Sequence, residues 1–270
     1  MNRRRALAMG AAGLGTLLAG CGSGRDGDGT ARSGPDTGNP ADPAGHAAPE
    51  STAGAQAVAP PTAPPAPTTT LVTAGDLAGR FDAGGVNGCT LTPQTIAGPS
   101  YLEVDALRSD LRDDRQGVPL GLGLRVLDPD CVPLAGAAVE LWNCDALGLY
   151  SGYPQREGDT TGLTFCRGTQ VTDANGIVAF TTVYPGWYRT RAPHLHAKVL
   201  LSSTALLTTQ LFLDDAVSAT VFTSAPYATH TGQDTFNDTD GMFVPATVLT
   251  LSPDATGGYL GLLDLTVRPA

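Results

Sequence analysis

The carboxyl-terminal part of the chain, about 200 residues, alternates apolar and polar side chains in short runs separated by glycine, proline and aspartate. A period of two is typical of strands that bury one face, and turns rich in glycine and proline favour antiparallel connections. The predicted strands lie at residues 121–128, 137–145, 176–184, 194–202, 208–215, 248–253 and 261–267. The pattern therefore predicts a mainly β fold, with an antiparallel sandwich or barrel core, long loops and little helix.

Helical patterning is sparse, and the best candidate is residues 104–113, with the sequence VDALRSDLRD. No internal repeat is visible in the sequence. The strand-rich segment, residues 71–270, is long enough to form one domain with a full hydrophobic core.

Residues 1–21 have the pattern of an export signal. A basic stretch, Arg3 to Arg5, precedes a short apolar run that ends in small residues and is too short to span a membrane. The arginine pair before Leu7 suggests the twin-arginine route. Residues 18–21, LAGC, resemble a bacterial lipobox, which implies a lipid-modified Cys21 and anchoring to the membrane outside the cytoplasm. An ordinary secretory signal with a chance cysteine is the alternative.

Residues 22–70 have the composition of a tether. They contain no aromatic residue, and Val58 is their only apolar residue larger than alanine or proline. Such a segment cannot bury enough surface to offset the entropy of ordering it. We expect a disordered linker with a reach on the order of 40 Å.

The charge balance is acidic. The formal net charge is −10, and removing residues 1–21, which hold three arginines and no acid, would make it −13. Proteins that bind nucleic acid present a basic face, so nucleic acid is a poor candidate partner.

Four cysteines remain when Cys21 is set aside: Cys89, Cys131, Cys144 and Cys166. An even number in an exported chain predicts two disulfides, and the sequence leaves all three pairings open. A structural zinc on the four thiolates is the competing interpretation, which the absence of any CxxC pair disfavours.

A short segment, PGWYRTRAPHLH at residues 185–196, gathers candidate ligands. His194 and His196 are two apart on a predicted strand, so their side chains share one face. Tyr188 follows a Pro-Gly turn, and Tyr150 lies in a glycine-flanked loop after another predicted strand. Taken alone, the histidines could equally be polar residues on a solvated face, and the tyrosines ordinary packing residues.

Two phenols and two imidazoles together form a distinctive donor set. Zn²⁺ prefers cysteine, histidine and carboxylate, whereas Mg²⁺ and Ca²⁺ prefer carboxylate and carbonyl oxygen. Two tyrosinates and two imidazoles suit ferric iron, a hard ion whose charge the phenolates partly neutralise. A zinc hydrolase built on His194 and His196 is another interpretation, which the absence of an HExxH motif weakens.

Longer motifs around these residues resemble the intradiol ring-cleavage dioxygenases, the catechol and protocatechuate type. Residues 139–150, VELWNCDALGLY, match the family's strand and first tyrosine. Residues 172–188 match its TDxxG run and its PGxY turn. Residues 191–196, RAPHLH, match the family's Arg-Pro-Ala-His-Ile-His with the proline and alanine exchanged.

The resemblance extends from about residue 89 to about residue 240. Thr92-Pro93 and Gly98-Pro99 resemble the family's approach to its site, and Gln210 falls where the family carries a glutamine near the metal. The order of two tyrosines followed by a His-x-His pair is specific to this family.

The resemblance implies a non-haem Fe(III) enzyme that opens catechol-type rings with O₂ to muconate-type products, incorporating both oxygen atoms. The implied iron ligands are Tyr150, Tyr188, His194 and His196. Tyr188 would be the phenolate that catechol displaces and would take one of its protons. Arg191 would stabilise negative charge on the substrate, with a surface salt bridge as the alternative. Gln210 would support the ligands rather than react.

Two departures from the family matter. Cytosolic relatives carry an N-terminal helical dimerisation region, and here a tether stands in its place, so the oligomeric state stays open. The export signal and the extra cysteines point to an extracytoplasmic lipoprotein branch.

A catalytically silent β-sandwich that binds polysaccharide is the rival from another functional class, since Trp142 and Trp187 could form its binding surface. We expect His230, in a polar loop, to be solvated. Substrate choice depends on loops 93–103 and 145–168, and the acidic chain disfavours carboxylated catechols unless Arg156 or Arg167 reverses the local charge.

Overall fold

The computed structural model describes residues 71–81, 89–104 and 106–269. The predicted export signal and lipid anchor at residues 1–21, and the predicted tether at residues 22–70, lie outside this part and remain predictions. Within the described ranges, none of the helices combines the length and apolar character needed to cross a bilayer.

The described part of the chain is built mainly from strands. Its strands are β1 (Pro119–Leu127), β2 (Ala138–Asn143), β3 (Pro154–Gln155), β4 (Gly158–Asp159), β5 (Arg167–Val171), β6 (Ile177–Val183), β7 (His194–Leu201), β8 (Thr204–Phe212), β9 (Thr250–Pro253) and β10 (Tyr259–Thr266). Its helices are α1 (Ala74–Leu77) and α2 (Asp215–Val221), with 3₁₀ turns at Tyr227–Thr229 and Pro245–Thr247.

Two four-stranded sheets form a sandwich. The first has the order β6-β1-β10-β9, and the second has the order β5-β2-β7-β8 and is antiparallel throughout. The first sheet contains one parallel pair, β1 with β10, in which Leu120 lies opposite Tyr259. The predicted sandwich is therefore confirmed, its barrel alternative is wrong because neither sheet closes, and one strand pair departs from the predicted antiparallel order.

The hydrophobic core lies between the sheets, where alternate residues of each strand meet. The first sheet contributes Leu120, Leu122, Leu124, Val126, Val178, Phe180, Leu263 and Leu265, and the second contributes Val139, Leu141, Leu195, Ala197, Val199, Leu207 and Leu211. The period of two read from the sequence thus defines the buried face of the long strands.

The outer face of the first sheet is covered by residues 72–81. Leu77 of α1 and Phe81 pack there against Ile177 and Leu260. Gly123 of β1 makes this possible, because a Cβ at this position would stand 2.6 Å from the Leu77 side chain.

The predicted helix at residues 104–113 is wrong. Around Leu107 and Asp110 the chain is extended, and it bridges β5 through Thr169 and β6 through Thr181. The amide of Arg108 donates to the Thr169 carbonyl at 3.1 Å. The free edges of β5 and β6 offer backbone hydrogen-bonding partners, and this segment pairs with both of them. That pairing outweighs the segment's weak local preference for helix.

The cysteine prediction is half right. Cys89 and Cys131 form a disulfide that closes a sequence separation of 42 residues. Cys144 and Cys166 are buried free thiols, so the second predicted disulfide is wrong. Burial raises the pKa of the Cys166 thiol to about 12 and that of Cys144 well above its ordinary value, which keeps both protonated and unreactive.

The disulfide gives a direct prediction. Alkylation of the denatured, unreduced protein should label Cys144 and Cys166 but leave Cys89 joined to Cys131 in the peptide mass spectrum. Replacing Cys131 with alanine should lower the free energy of unfolding by about 2–4 kcal/mol, because the unfolded chain regains loop entropy. A spectrum in which Cys144 and Cys166 are cross-linked to each other would contradict the assignment.

Candidate active site

Strand β7 carries the two candidate histidines on its outer face. Leu195 and Ala197 point into the core, whereas His194 and His196 point the other way and are nevertheless each only 1% exposed. Trp142 lies opposite His196 in the pairing of β2 with β7, and the two rings stack with centroids 4.9 Å apart and planes 6° from parallel. The indole therefore fixes the plane of the His196 imidazole.

The loop after β2 brings Tyr150 to the histidines. The Asp145 carboxylate accepts hydrogen bonds from the amides of Leu147 at 2.9 Å and Leu149 at 3.0 Å, which holds the turn. The Tyr150 backbone is held on both sides by the Gln155 amide, which accepts from the Tyr150 N–H at 3.1 Å and donates to its carbonyl at 2.6 Å. The phenol is only 4% exposed.

The loop between β6 and β7 brings Tyr188 to the same place. The backbones of the two loops are in close contact at two glycines, Gly148 in the Tyr150 loop and Gly186 in the Tyr188 loop. A Cβ on Gly148, which has φ 83°, would lie 2.3 Å from the Trp187 carbonyl oxygen, and one on Gly186 would lie 2.3 Å from the Ala146 carbonyl oxygen. No side chain fits at either position, so glycine permits the contact that joins the two tyrosine loops.

Four polar atoms from these elements converge. Tyr188 Oη lies 3.1 Å from His194 Nε2, His194 Nε2 lies 3.2 Å from His196 Nε2, and His196 Nε2 lies 3.2 Å from Tyr150 Oη. The sequence predicted all four as candidates, and the fold brings them together from two loops and one strand.

The histidines are neutral and expose lone pairs to this cluster. Burial lowers the pKa of His194 to about 3, with the Arg191 charge adding to the effect, and lowers that of His196 well below its ordinary value. His194 Nδ1–H donates to the Ala192 carbonyl at 2.7 Å, which leaves Nε2 as an acceptor. Neutral imidazole with a free lone pair is the form that binds metal ions.

Burial also favours the neutral form of both phenols. Burial raises the pKa of Tyr188 to about 12 against the opposing charge of Arg191, and it raises the pKa of Tyr150 well above its ordinary value. A multivalent cation held by these oxygens would reverse that preference, since its charge stabilises the phenolate form.

Arg191 and Gln210 are also present, in a network that includes one residue the sequence did not single out. Arg191 Nε donates to the Asp240 carboxylate at 3.0 Å, and its Nη2 donates to Gln210 Oε1. Asp240 also accepts from the Ala192 amide at 2.8 Å. Gln210 Nε2 donates to the Ile96 carbonyl at 3.2 Å. Asp240 lies 49 positions after Arg191, and no local pattern marks it.

The cluster opens into a cavity of about 330 Å³, called here the active-site cavity. Tyr150, Tyr188, His196, Arg191 and Gln210 line it, together with the segment from Ile96 to Ser100 and the hairpin of β3 and β4. Arg156 is part of this lining, whereas Arg167 is buried and donates to the Ser151 hydroxyl and carbonyl, each at 2.8 Å. Of the two arginines considered from the sequence, only Arg156 faces the cavity.

The structure also bears on the zinc site, the tryptophan binding surface and the solvated His230 considered from the sequence. In the described part of the chain, no three histidine, cysteine, aspartate or glutamate side chains are close enough to hold one metal ion. The donor set of two phenols and two imidazoles is therefore not a typical zinc site and fits ferric iron. Trp142 and Trp187 are buried, and His230 is only partly exposed, because its ring packs 4.1 Å from the Trp187 indole.

Comparison with known proteins gives consistent results. A family model described as Dioxygenase matches residues 92–243. Over 149 residues the chain is 31% identical to catechol 1,2-dioxygenase 1 of Acinetobacter lwoffii, and the aligned region covers 46% of each protein. The chain spans less than half the length of the catechol 1,2-dioxygenases that it matches.

Solved structures match over a larger share of their own length. The intradiol ring-cleavage dioxygenase from Tetranychus urticae is 31% identical, with a TM-score of 0.64 over 67% of this chain and 96% of that one. The dioxygenase domain of a carbohydrate-binding fusion from Streptomyces sp. SirexAA-E is also 31% identical, with a TM-score of 0.52 over 67% of this chain and 100% of that one. The chain belongs to the intradiol ring-cleavage dioxygenase family.

Proposed function

We propose that this protein cleaves catechol-type rings between the two hydroxylated carbons, using O₂ and a ferric ion. The observation that carries the proposal is the convergence of a buried phenol, a half-buried phenol and two buried neutral imidazoles, whose successive polar atoms lie 3.1–3.2 Å apart, beside a cavity of about 330 Å³. We assign Tyr150, Tyr188, His194 and His196 as the residues that hold the iron. The products are of the muconate type.

Ferric iron, when bound, supplies the Lewis acidity that makes a chelated catechol reactive towards O₂. The two tyrosines have different surroundings, which supports different roles. Tyr150 is only 4% exposed and anchored through its backbone, whereas Tyr188 is less deeply buried and also lines a neighbouring cavity. We therefore assign Tyr188 Oη as the group that accepts a catechol proton when the substrate binds.

Arg191 is assigned as the cation that stabilises negative charge developing on the substrate. It lines the active-site cavity, and Asp240 and Gln210 hold its guanidinium from two directions. A donor fixed before the reaction needs no reorganisation during it, and such preorganised charge is a major source of rate enhancement. The surface salt bridge considered from the sequence is not supported, because the Asp240 side chain is only 1% exposed.

The silent binding module is less well supported. A polysaccharide-binding surface needs exposed aromatic rings, whereas Trp142 is buried beneath His196 and Trp187 beside His230. We also propose that the protein is exported and anchored through a lipid on Cys21, which rests on the pattern of residues 1–21 alone.

The assignment of Tyr188 can be tested by replacing it with phenylalanine, which keeps the ring and its packing but removes the oxygen. We expect a folded protein that retains part of its iron, shows a weakened or shifted visible absorption and loses most of its oxygen uptake with catechol. The comparison variant His196→Ala should lose iron more completely. Iron content, visible spectrum and oxygen uptake are measured for both variants and the parent. A Tyr188→Phe protein with the parent's rate and spectrum would refute the assignment.

The assignment of Arg191 predicts a role for Asp240. Asp240→Asn removes the charge that pairs with Arg191, and we expect the free energy of unfolding in urea to fall by about 3 kcal/mol. Turnover should fall as well, because the guanidinium is no longer fixed. Asp130→Asn, which removes the same charge from an exposed position, should change neither quantity measurably. Equal changes in unfolding free energy and turnover in the two variants would show that the ion pair between Arg191 and Asp240 contributes to neither quantity.

A further inference from the structure

Arg167, the first residue of β5, stands beside the candidate ligands rather than among them. It lies opposite Trp142 in the pairing of β2 with β5, and Trp142 lies opposite His196 in the pairing of β2 with β7. Residues directly opposite each other point to the same face, so the three side chains form one row on the outer face of the second sheet. This row ends in a guanidinium that is only 2% exposed.

The Arg167 guanidinium holds the residue that follows Tyr150. Its Nε donates to the Ser151 hydroxyl and its Nη2 to the Ser151 carbonyl, each at 2.8 Å. The Ser151 hydroxyl donates its own hydrogen to the Phe165 carbonyl at 2.7 Å, so both groups that face Arg167 are acceptors. A fork of two nitrogen donors satisfies both acceptors at once, and guanidinium has that geometry whereas an ammonium group does not.

This contact links the Tyr150 loop to the sheet that carries the histidines. At Tyr150 itself, the backbone bonds to the Gln155 side chain, and the Thr160 hydroxyl donates to its carbonyl at 2.7 Å. Both partners belong to the same connection between β2 and β5 as Tyr150, so they shape the loop without fixing it to the sheet. Arg167 belongs to β5, and its two hydrogen bonds fix Ser151 relative to the second sheet.

The charge of Arg167 is costly at this position. Within the described ranges it forms no ion pair with a carboxylate, and its Nη1 has no hydrogen-bond partner. Burial lowers the pKa of the guanidinium, but arginine keeps its proton in proteins. A buried cation without a counter-charge destabilises a fold, so the stability of the sandwich does not account for an arginine here. The residue points instead to a role in the adjacent site.

We propose that Arg167 is a positioning residue for the iron ligand Tyr150. By holding Ser151 against β5, its guanidinium sets the place of the Tyr150 phenol, whose Oη lies 3.2 Å from His196 Nε2. The inference rests on the proposed assignment of Tyr150 and His196 as iron ligands, and it adds a residue that touches neither iron nor substrate. Replacing residues that orient metal ligands typically weakens metal binding or activity about ten- to hundredfold.

The test compares Arg167→Lys with Arg108→Lys in the full chain. Arg108 is the matched control, since it also donates to backbone carbonyls beside the start of β5, those of Arg167 and Thr164, and not to Ser151. We expect Arg167→Lys to weaken Fe(III) binding about tenfold or more, measured by competition with a chelator, and to shift the visible absorption of the iron-saturated protein. Arg108→Lys should lower the free energy of unfolding in urea but keep the parent's iron affinity and spectrum.

Ser151→Ala shows whether Arg167 acts through Ser151, because it removes the hydroxyl that accepts from Nε. Alone it should also weaken iron binding, which keeps the test available if Arg167→Lys does not fold. Two residues that act as a unit are not additive, so the double variant should lose less iron affinity than the product of the two single losses. Single losses that multiply in the double variant would show independent effects and overturn the positioning role.

The remaining outcomes separate this role from the proposed function. An Arg167→Lys protein with the parent's iron affinity and spectrum overturns the positioning role and leaves the iron site standing. An equal loss of iron affinity in Arg108→Lys assigns the effect to general stability and also overturns the role. A parent chain that binds no Fe(III) removes the iron site, and the role of Arg167 with it.

Discussion

The site depends on the backbone contact between the two tyrosine loops. Gly148 and Gly186 allow the loop after β2 and the loop after β6 to approach so closely that a single Cβ at either position would overlap a carbonyl oxygen. These loops leave different sheets, so the contact joins the two halves of the sandwich outside their shared core. Hydrogen bonds reinforce this contact, because the Gly186 amide donates to the Asp145 carbonyl at 2.9 Å and the Asn143 side chain donates to the Val183 carbonyl at 3.3 Å.

Burial then sets the chemistry of the groups brought together. Desolvation makes neutral imidazole the stable form of His194 and His196 and disfavours ionisation of both phenols. The four groups therefore present lone pairs rather than charges, and Arg191, which lines the same cavity, is held in an ion pair with Asp240. Such a site favours binding of an ion of high positive charge. Each phenol that ionises then offsets part of the free-energy cost of burying that charge.

The four clustered side chains could be picked out as candidate ligands from the sequence because each lies within a short pattern, such as the His-x-His of β7 or the glycine-flanked Tyr150. Features that depend on distant contacts could not. Leu107 and Asp110 look locally helical, but the open edges of β5 and β6 pair with them as extended chain. Asp240 reaches Arg191 only through the fold. The strand predicted at residues 208–215 extends beyond the observed end of β8 at Phe212. The Asp214 side chain accepts hydrogen bonds from the amides of Ala216 and Val217 and so caps the start of α2.

The residues that hold the fold together are largely separate from those that form the walls of the active-site cavity. The two histidines of the site stand on the outer face of β7, and the core between the sheets uses the alternate residues of the same strand. The cavity walls come instead from the segment at Ile96 to Ser100 and from the β3–β4 hairpin. Replacing Arg156 or Glu157 in that hairpin alters charge at the wall without removing a core contact, since both side chains are exposed. The charge and shape of the cavity wall can therefore change by substitutions that leave the stability of the sandwich nearly unaltered.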